Sequence, residues 1–416
     1  RMNRAVVRRA ARALAEWLMD APGLGRSQPV VVGHDARLSS KALAEEVAGT
    51  LLGAGLSVRW FSNPVPTPWV AFAVGRLGAC AGVVVTASHN PSEYNGIKLY
   101  GADGIQLSGQ QEEVLGTRMA RLGPAKDIPV RSLDSVAGPS ALQPVGPELF
   151  ESYATALGAI VGPRPRCSVP IVYSAMHGVG GQPMLALLRR FGHQRVEVVT
   201  EQQEPDGNFP TAPSPNPEDP AVLERAFSLA RGVGAALLLA TDPDADRLAV
   251  AIPTATGRWR ALSGDETGAL LAEDLLDRAL SLPQPLVVST IVSSPLVELL
   301  ARARGAHFER TLTGFKWIWR AGAELEAKGG LRWVFGYEEA IGFSALRSVR
   351  DKDGLSAAVL LADLAARCAE QGSSLWARLV ALWARHGLWI SVGRAARFGG
   401  PEGQALMMAS LESLVT

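Results

Sequence analysis

Residues 237–252 read Leu-Leu-Leu-Ala-Thr-Asp-Pro-Asp-Ala-Asp-Arg-Leu-Ala-Val-Ala-Ile. Two apolar runs, each too short for a helix, flank a polar loop. Such runs predict strands buried on both faces, the condition of a parallel sheet covered by helices. The same pattern recurs outward. Apolar, mostly β-branched runs at 29–32, 82–85, 169–173, 235–239 and 286–289 alternate with stretches of helical period. That alternation predicts an α/β protein of consecutive similar domains with mixed, mostly parallel sheets. Sheets of this kind carry ligands at the carboxyl ends of their strands, so the polar residues after each run are read first.

The chain has 416 residues, 47% hydrophobic and 19% charged, which suits several globular domains and excludes disorder. Expected units are 1–150, 151–262 and 263–386, followed by a short remnant at 387–416. Pro-rich 201–220 and weakly periodic 387–401 read as linkers. Val6, Ala10, Ala13, Leu14, Trp17 and Leu18 recur at helical spacing and predict an amphipathic core helix. Forty-one basic against 40 acidic residues leave a net charge of +1, no basis for gripping nucleic acid. No apolar run reaches membrane-spanning length, so no membrane partner is expected. Three widely spaced cysteines, Cys80, Cys167 and Cys368, argue for a reducing cytoplasm and against a disulfide framework.

Three strings carry chemistry. In residues 83–91 a buried strand runs into Thr86-Ala87-Ser88-His89-Asn90-Pro91, which sets a hydroxyl just past a strand end with an imidazole beside it. An ordinary Ser/Asn turn would read the same way. Asp242, Asp244 and Asp246 alternate, so an extended loop turns all three carboxylates to one side, where they repel. A hard divalent cation resolves that repulsion, and a ligand set with oxygen only favours Mg²⁺ over Zn²⁺. Glu338 and Glu339, between Gly336 and Gly342, could accept hydrogen bonds from sugar hydroxyls, though a solvated loop would look alike.

Lysine usage adds to this. Only six of the 41 basic residues are lysines: 41, 98, 126, 316, 328 and 352. Where arginine serves as the general cation, a retained lysine suggests an amine that must titrate. Lys98, Lys316 and Lys352 sit in Gly-containing loops, and the other three read as surface charge. Ser40 and Thr67 stand at helix starts that could serve as anion sites, and capping alone explains both.

Taken as a set, 86–91 (TASHNP), 94–98 (YNGIK), 242–247 (DPDADR), 336–342 (GYEEAIG) and 351–354 (DKDG) resemble the α-D-phosphohexomutases over nearly the whole chain. Residues 205–218 (PDGNFPTAPSPNPE), 263–276 (SGDETGALLAEDLL), 290–295 (TIVSSP) and 311–317 (TLTGFKW) look like the phosphoglucomutase-2/phosphopentomutase-like branch. The resemblance implies four α/β domains around one central cleft, one Mg²⁺ and a phosphorylated serine. Ser88 is then the phosphoryl carrier. Asp242, Asp244 and Asp246 hold Mg²⁺ with a phosphoryl oxygen on Ser88, and Arg247 lies against them. Glu338 binds sugar hydroxyls. Lys98, His89 and Lys352 are candidates, unranked, for moving the proton or steadying the transferring phosphate. Lys316 and Arg37 line the cleft.

The implied reaction moves a phosphoryl group between C1 and C6 of a hexose phosphate, glucose or mannose, through a sugar bisphosphate that also serves as activator. Sugar phosphates are the implied partners. Ala340 stands where many relatives carry Ser, which bears on the sugar. A carboxy-terminal Ser-Gly-Thr-Glu phosphate clamp and an early Gly-Leu-Arg loop have no counterpart, so a chain truncated at both ends, with reduced turnover, is expected. A phosphopentomutase or a sugar-1,6-bisphosphate synthase would keep the same serine and aspartates, whereas a silent phosphosugar-binding protein would have no need of them.

Overall fold

The computed structural model describes residues 2–21, 28–135, 141–163, 167, 169–392, 398–399 and 402–415. Arg1, from which the expected amino-terminal truncation was partly read, and part of the expected 387–401 linker lie outside them. Among the described residues, fourteen strands form three sheets. The first contains β1 (Val30–His34), β2 (Val58–Trp60), β3 (Ala81–Val85), β4 (Ile97–Gly101) and β5 (Leu142–Pro144). The second contains β6 (Ile171–Ser174), β7 (Val196–Val198), β8 (Leu237–Thr241), β9 (Leu248–Pro253) and β10 (Trp259–Ala261). The third contains β11 (Pro285–Thr290), β12 (His307–Thr311), β13 (Arg332–Glu338) and β14 (Gly342–Ser344).

All three sheets trace one path. Their orders are β4-β3-β1-β2-β5, β10-β9-β8-β6-β7 and β12-β11-β13-β14. In each, the first strand pairs in parallel with the second on one side and with the third on the other. The fourth then returns antiparallel to the third. The central strands β1, β3, β8 and β11 are buried along their whole length, because helices cover both faces. The expected α/β class with mixed sheets is what the chain adopts. The antiparallel return of the third strand places a turn at the same point of each unit.

Several local expectations need correction. Residues 201–220 are no linker: they join β7 to helix Pro220–Val233 inside the second unit, and the segment begins in the helical turn Thr200–Gln203. The amino-terminal helix Arg4–Asp20 buries Val7, Ala11, Ala13, Leu14, Ala15 and Leu18, while Val6, Ala10 and Trp17 are half-buried. Ser40 does not cap its helix, since its hydroxyl donates to Asp35. Thr67 is the first residue of helix Thr67–Arg76, after Pro66 at the cap. No helix among the described residues is long and apolar enough to cross a membrane.

One apolar core runs from the second sheet (Leu238, Ala240) through helix Gly354–Glu370 (Val359, Leu360) into the third sheet (Val287, Phe335). That helix packs on both β8 and β14, so two of the three turns share a rigid support. Its cap, Asp353, is fully buried and also accepts hydrogen bonds from the Tyr153 hydroxyl at 2.8 and 3.0 Å. Tyr153→Phe leaves that carboxylate one donor short. It is expected to cost about 1–3 kcal/mol, the usual penalty for a buried polar group deprived of its partner. The measurement is the urea midpoint, which should fall at unchanged slope.

Candidate active site

Each third strand ends in a turn that bears one of the singled-out strings: Ser88 after β3, Asp242–Asp246 after β8 and Glu338 at the end of β13. Each turn also holds a non-glycine residue in the left-handed region: Ser88 at φ 50°, Ala245 at 58° and Ile341 at 52°. A β-branched residue there is costly, and backbone strain of this kind clusters where surrounding structure fixes a functional turn.

The turns meet. Ser88 Oγ donates to Asp242 Oδ2 at 2.7 Å and lies 3.3 Å from His89 Nδ1. The Ser88 amide donates to Thr86 Oγ1 at 2.9 Å. Asp242, Asp244 and Asp246 are fully buried, and one carboxylate oxygen from each falls within a group spanning 4.8 Å. Lys98 Nζ donates to Asp244 Oδ2 at 2.7 Å and Asp246 Oδ2 at 2.6 Å. Lys352 Nζ approaches Asp246 Oδ2 at 3.3 Å. The third turn joins the second through its backbone, as Leu248 N donates to Ile341 O at 3.1 Å and Arg247 bridges to Gly342. Gly342 is required here. A Cβ would lie 2.6 Å from Lys352 Cδ and 3.0 Å from Glu338 Cγ, so the bare backbone lets those two side chains flank it.

Burial, with Asp244 and Asp246 adjacent, pushes the Asp242 carboxyl well above its ordinary range. Burial acts the same way on Asp244, but Lys98 and hydrogen bonds from Asp242, Lys98 and Thr67 outweigh it and hold that group low. Both lysines resist burial because carboxylates surround them: Lys98 beside Asp244 and Asp246, Lys352 beside Asp246 and Asp351, each above the ordinary ammonium range. Burial and then Arg247 lower the His89 imidazole to about 4, so it is neutral near pH 7. Burial raises the Glu338 carboxyl against the pull of Lys352 and Arg247.

The aspartates fit a hard cation. Asp244 Oδ1 and Asp246 Oδ1 are buried without a hydrogen-bond partner, as is Arg247 Nε beside them. Unpaired buried oxygens on a crowded carboxylate group, with no soft ligand among them, suit a divalent ion bound by oxygen.

Of the two residues expected to line the cleft, one turns away from it. Arg37 is corrected: its side chain is 1% exposed and all its N–H groups are bonded to protein, so it offers none to a ligand. Lys316 pairs with Glu112 at 3.1 Å, joining the third unit to the first, and makes no hydrogen bond to the aspartates. Glu338 is not on a loop but is the last residue of β13, while Ala340 sits half-buried in the turn that follows.

Sequence reading missed three groups. Thr67, read as a cap, donates its hydroxyl to Asp244 Oδ2 at 2.7 Å and its amide to Asp244 O at 2.9 Å. Tyr100 donates to Asp351 Oδ2 at 2.6 Å, and Asp351 in turn accepts from the Lys352 amide at 2.7 Å. Glu218 meets Arg247 Nη1 at 3.4 Å. Only Glu218 and Asp351 lay inside quoted strings. Thr67, 177 residues before its partner, reads as a helix start, but nothing in the sequence ties it to Asp244.

Comparison with known proteins identifies the family. Three family models match, described as phosphoglucomutase/phosphomannomutase alpha/beta/alpha domain I over residues 1–125, domain II over 151–257 and domain III over 263–386. The chain is 36% identical to a probable phosphomannomutase of Haemophilus influenzae, covering 90% of this chain and 74% of that protein. It is 35% identical to the phosphopentomutase of Homo sapiens, covering 94% of this chain and 66% of that one. It thus spans roughly two-thirds to three-quarters of these relatives. A crystal structure of a phosphoglucomutase/phosphomannomutase family protein from Burkholderia thailandensis shares the fold, with a TM-score of 0.73 at 24% identity over 92% of this chain and 76% of that one.

Thr67→Val should weaken Mg²⁺ binding by about tenfold, the lower end for losing an outer-shell partner of a metal ligand. Asp244→Ala should weaken it far more. Titration calorimetry checks both, and equal affinities in wild type and Asp244→Ala would remove the metal assignment.

Proposed function

The chain belongs to the phosphoglucomutase/phosphomannomutase family of the α-D-phosphohexomutase superfamily, and from that premise we propose that it is a Mg²⁺-dependent phospho-sugar mutase. It moves a phosphoryl group between C1 and C6 of glucose or mannose phosphate by way of phosphorylated Ser88 and a sugar bisphosphate. The observation that carries this reading is the 2.7 Å approach of Ser88 Oγ to the buried aspartate group, across 154 residues of chain. A surface turn rich in serine has no reason to be held against three carboxylates.

Asp242, Asp244 and Asp246 would hold Mg²⁺ beside phosphorylated Ser88. When bound, the ion neutralises charge on the transferring group. The chain's own residues do the rest. Lys98 and Lys352 remain ammonium ions and can donate to phosphoryl oxygens or protonate a departing oxygen. Neutral His89 can accept a hydrogen bond from Ser88. Arg247, with one buried N–H unpaired, receives phosphate. Glu338 takes the sugar hydroxyls. Phosphoryl transfer demands positioning and charge neutralisation above all, and a buried, charge-dense cleft supplies both. A trace of sugar bisphosphate rephosphorylates Ser88 and so acts as activator. Three free, buried cysteines accord with a reducing cytoplasm.

The near-equal identity to the human phosphopentomutase favours a second reading, in which the sugar is a pentose phosphate. Phosphorus NMR with glucose-, mannose- and ribose-1-phosphate, Mg²⁺ and trace bisphosphate separates the two. Peptide mapping after incubation with a sugar bisphosphate should find one phosphoryl group, on Ser88, and Ser88→Ala should take up none. Phosphorylation of a different residue would falsify the carrier assignment. Glu338→Gln should lower turnover at least about 100-fold, as expected for a group acting in the transition state. Its Mg²⁺ affinity should stay within about threefold by calorimetry, because Glu338 lies outside the carboxylate group that suits the ion.

A further inference from the structure

Arg37 lies beneath the Ser88 turn without reaching the cleft. A guanidinium has five N–H donors in a rigid fork, and here each has an acceptor. Nε donates to Asp35 Oδ2 at 3.1 Å. Nη1 donates to Pro91 O at 2.6 Å and Tyr94 O at 3.1 Å. Nη2 donates to Ser88 O and Asn90 O, both at 2.6 Å. Four carbonyls from seven consecutive residues therefore converge on one cation. Asn90 and residues 92–94 are exposed, but the loop has no ladder partner, and Arg37 takes up four of its carbonyls.

The clamp is itself held. Asp35, 1% exposed at the end of β1, also accepts from the Arg37 amide at 3.0 Å, from Ser40 Oγ and from Thr86 Oγ1 at 2.8 Å. Thr86 in turn accepts the Ser88 amide. Ser88 is thus fixed on both sides, its amide through Thr86 and Asp35, its carbonyl through Arg37. That bracketing can hold a non-glycine residue at φ 50°. The segment once read as a linker closes the other face. The Phe209 ring covers the guanidinium at 5.1 Å, and at Gly207 a Cβ would strike Leu38 N at 2.6 Å, so only bare backbone lets the segment come that close.

We infer that Arg37 is a positioning residue for phosphoryl transfer: it holds the turn at residues 88–94 in the one shape that aims Ser88 Oγ at Asp242. The inference rests on the mutase reading for its catalytic consequence, but the clamp stands on geometry alone. Lysine would keep the charge yet could not address four carbonyls and a carboxylate at once.

The test uses the full chain with Arg37→Lys and Arg37→Ala, read in two independent ways. Hydrogen exchange of peptides covering residues 86–96 reports the clamp without any assay of turnover. It should speed up by about tenfold or more in Arg37→Lys, the size of effect expected when a locally stabilising contact is lost. Kinetics with glucose 1-phosphate, Mg²⁺ and glucose 1,6-bisphosphate should show kcat reduced about 100-fold, the scale of a nucleophile misplaced by an ångström. KM and Mg²⁺ affinity should stay within about threefold, and millimolar guanidinium ion should restore part of kcat in Arg37→Ala but not in Arg37→Lys. If Arg37→Ala does not fold, Arg37→Lys and Thr86→Val carry the same two measurements. Unchanged exchange in Arg37→Lys overturns the inference, as does a raised KM at normal kcat, which would make Arg37 a substrate ligand. Should exchange respond while the wild-type chain takes up no phosphoryl group, the clamp is upheld and the mutase reading is what fails.

Discussion

Three carboxylates buried in one turn are the constraint on which the rest of this molecule depends. Asp242, Asp244 and Asp246 have no exposed surface, and unopposed they would repel one another and resist ionisation. The surrounding elements answer that problem. Lys98 comes from β4 of the first sheet, Lys352 from the segment leading into helix Gly354–Glu370, Thr67 from the first residue of a helix and Ser88 from the turn after β3. Each belongs to a different element, so the compensation exists only once the units have docked. Charge that would unfold an isolated unit thereby becomes a reason for three units to stay together.

Repetition of one topology makes the convergence possible. The third strand of each sheet delivers its turn at the same place relative to its own helices, and the antiparallel fourth strand anchors the far side of that turn. When three such units pack around shared helices, three equivalent turns face one another, and each is free to carry a different chemistry: a hydroxyl, a set of carboxylates, a glutamate. The scaffold supplies position and the turns supply function, and each of the three turns holds one residue in the left-handed region, Ser88, Ala245 and Ile341.

Much of this was legible in the linear sequence. Continuous apolar runs mark buried strands because they are too short for a helix and mostly β-branched, and each run marks a strand to within two residues at either end. The alternating aspartates stand out because three like charges between two buried strands repel, and the lysines at 98 and 352 because lysine is rare in this chain; the serine past a strand end stands out only within the set of strings. Lys316 instead pairs with Glu112 of the first unit, a partner that rarity alone does not indicate. Resemblance puts Arg37 in the cleft, but a polar residue near a strand end looks the same whether it faces a ligand or the underside of a loop.

Secondary structure, the identity of the reactive groups and the family were thus set by local pattern, which covalent sequence carries directly. Pairing across long separations was decided by the tertiary structure: Thr67 with Asp244, Tyr100 with Asp351, Arg37 with four carbonyls and with Phe209. None of these partners shares a helical turn or a strand register with the other, so no periodicity records them. A threonine at a helix start has the same local energetics whether its hydroxyl caps that helix or orients a carboxylate in the next unit. Only the packing of the units selects between the two.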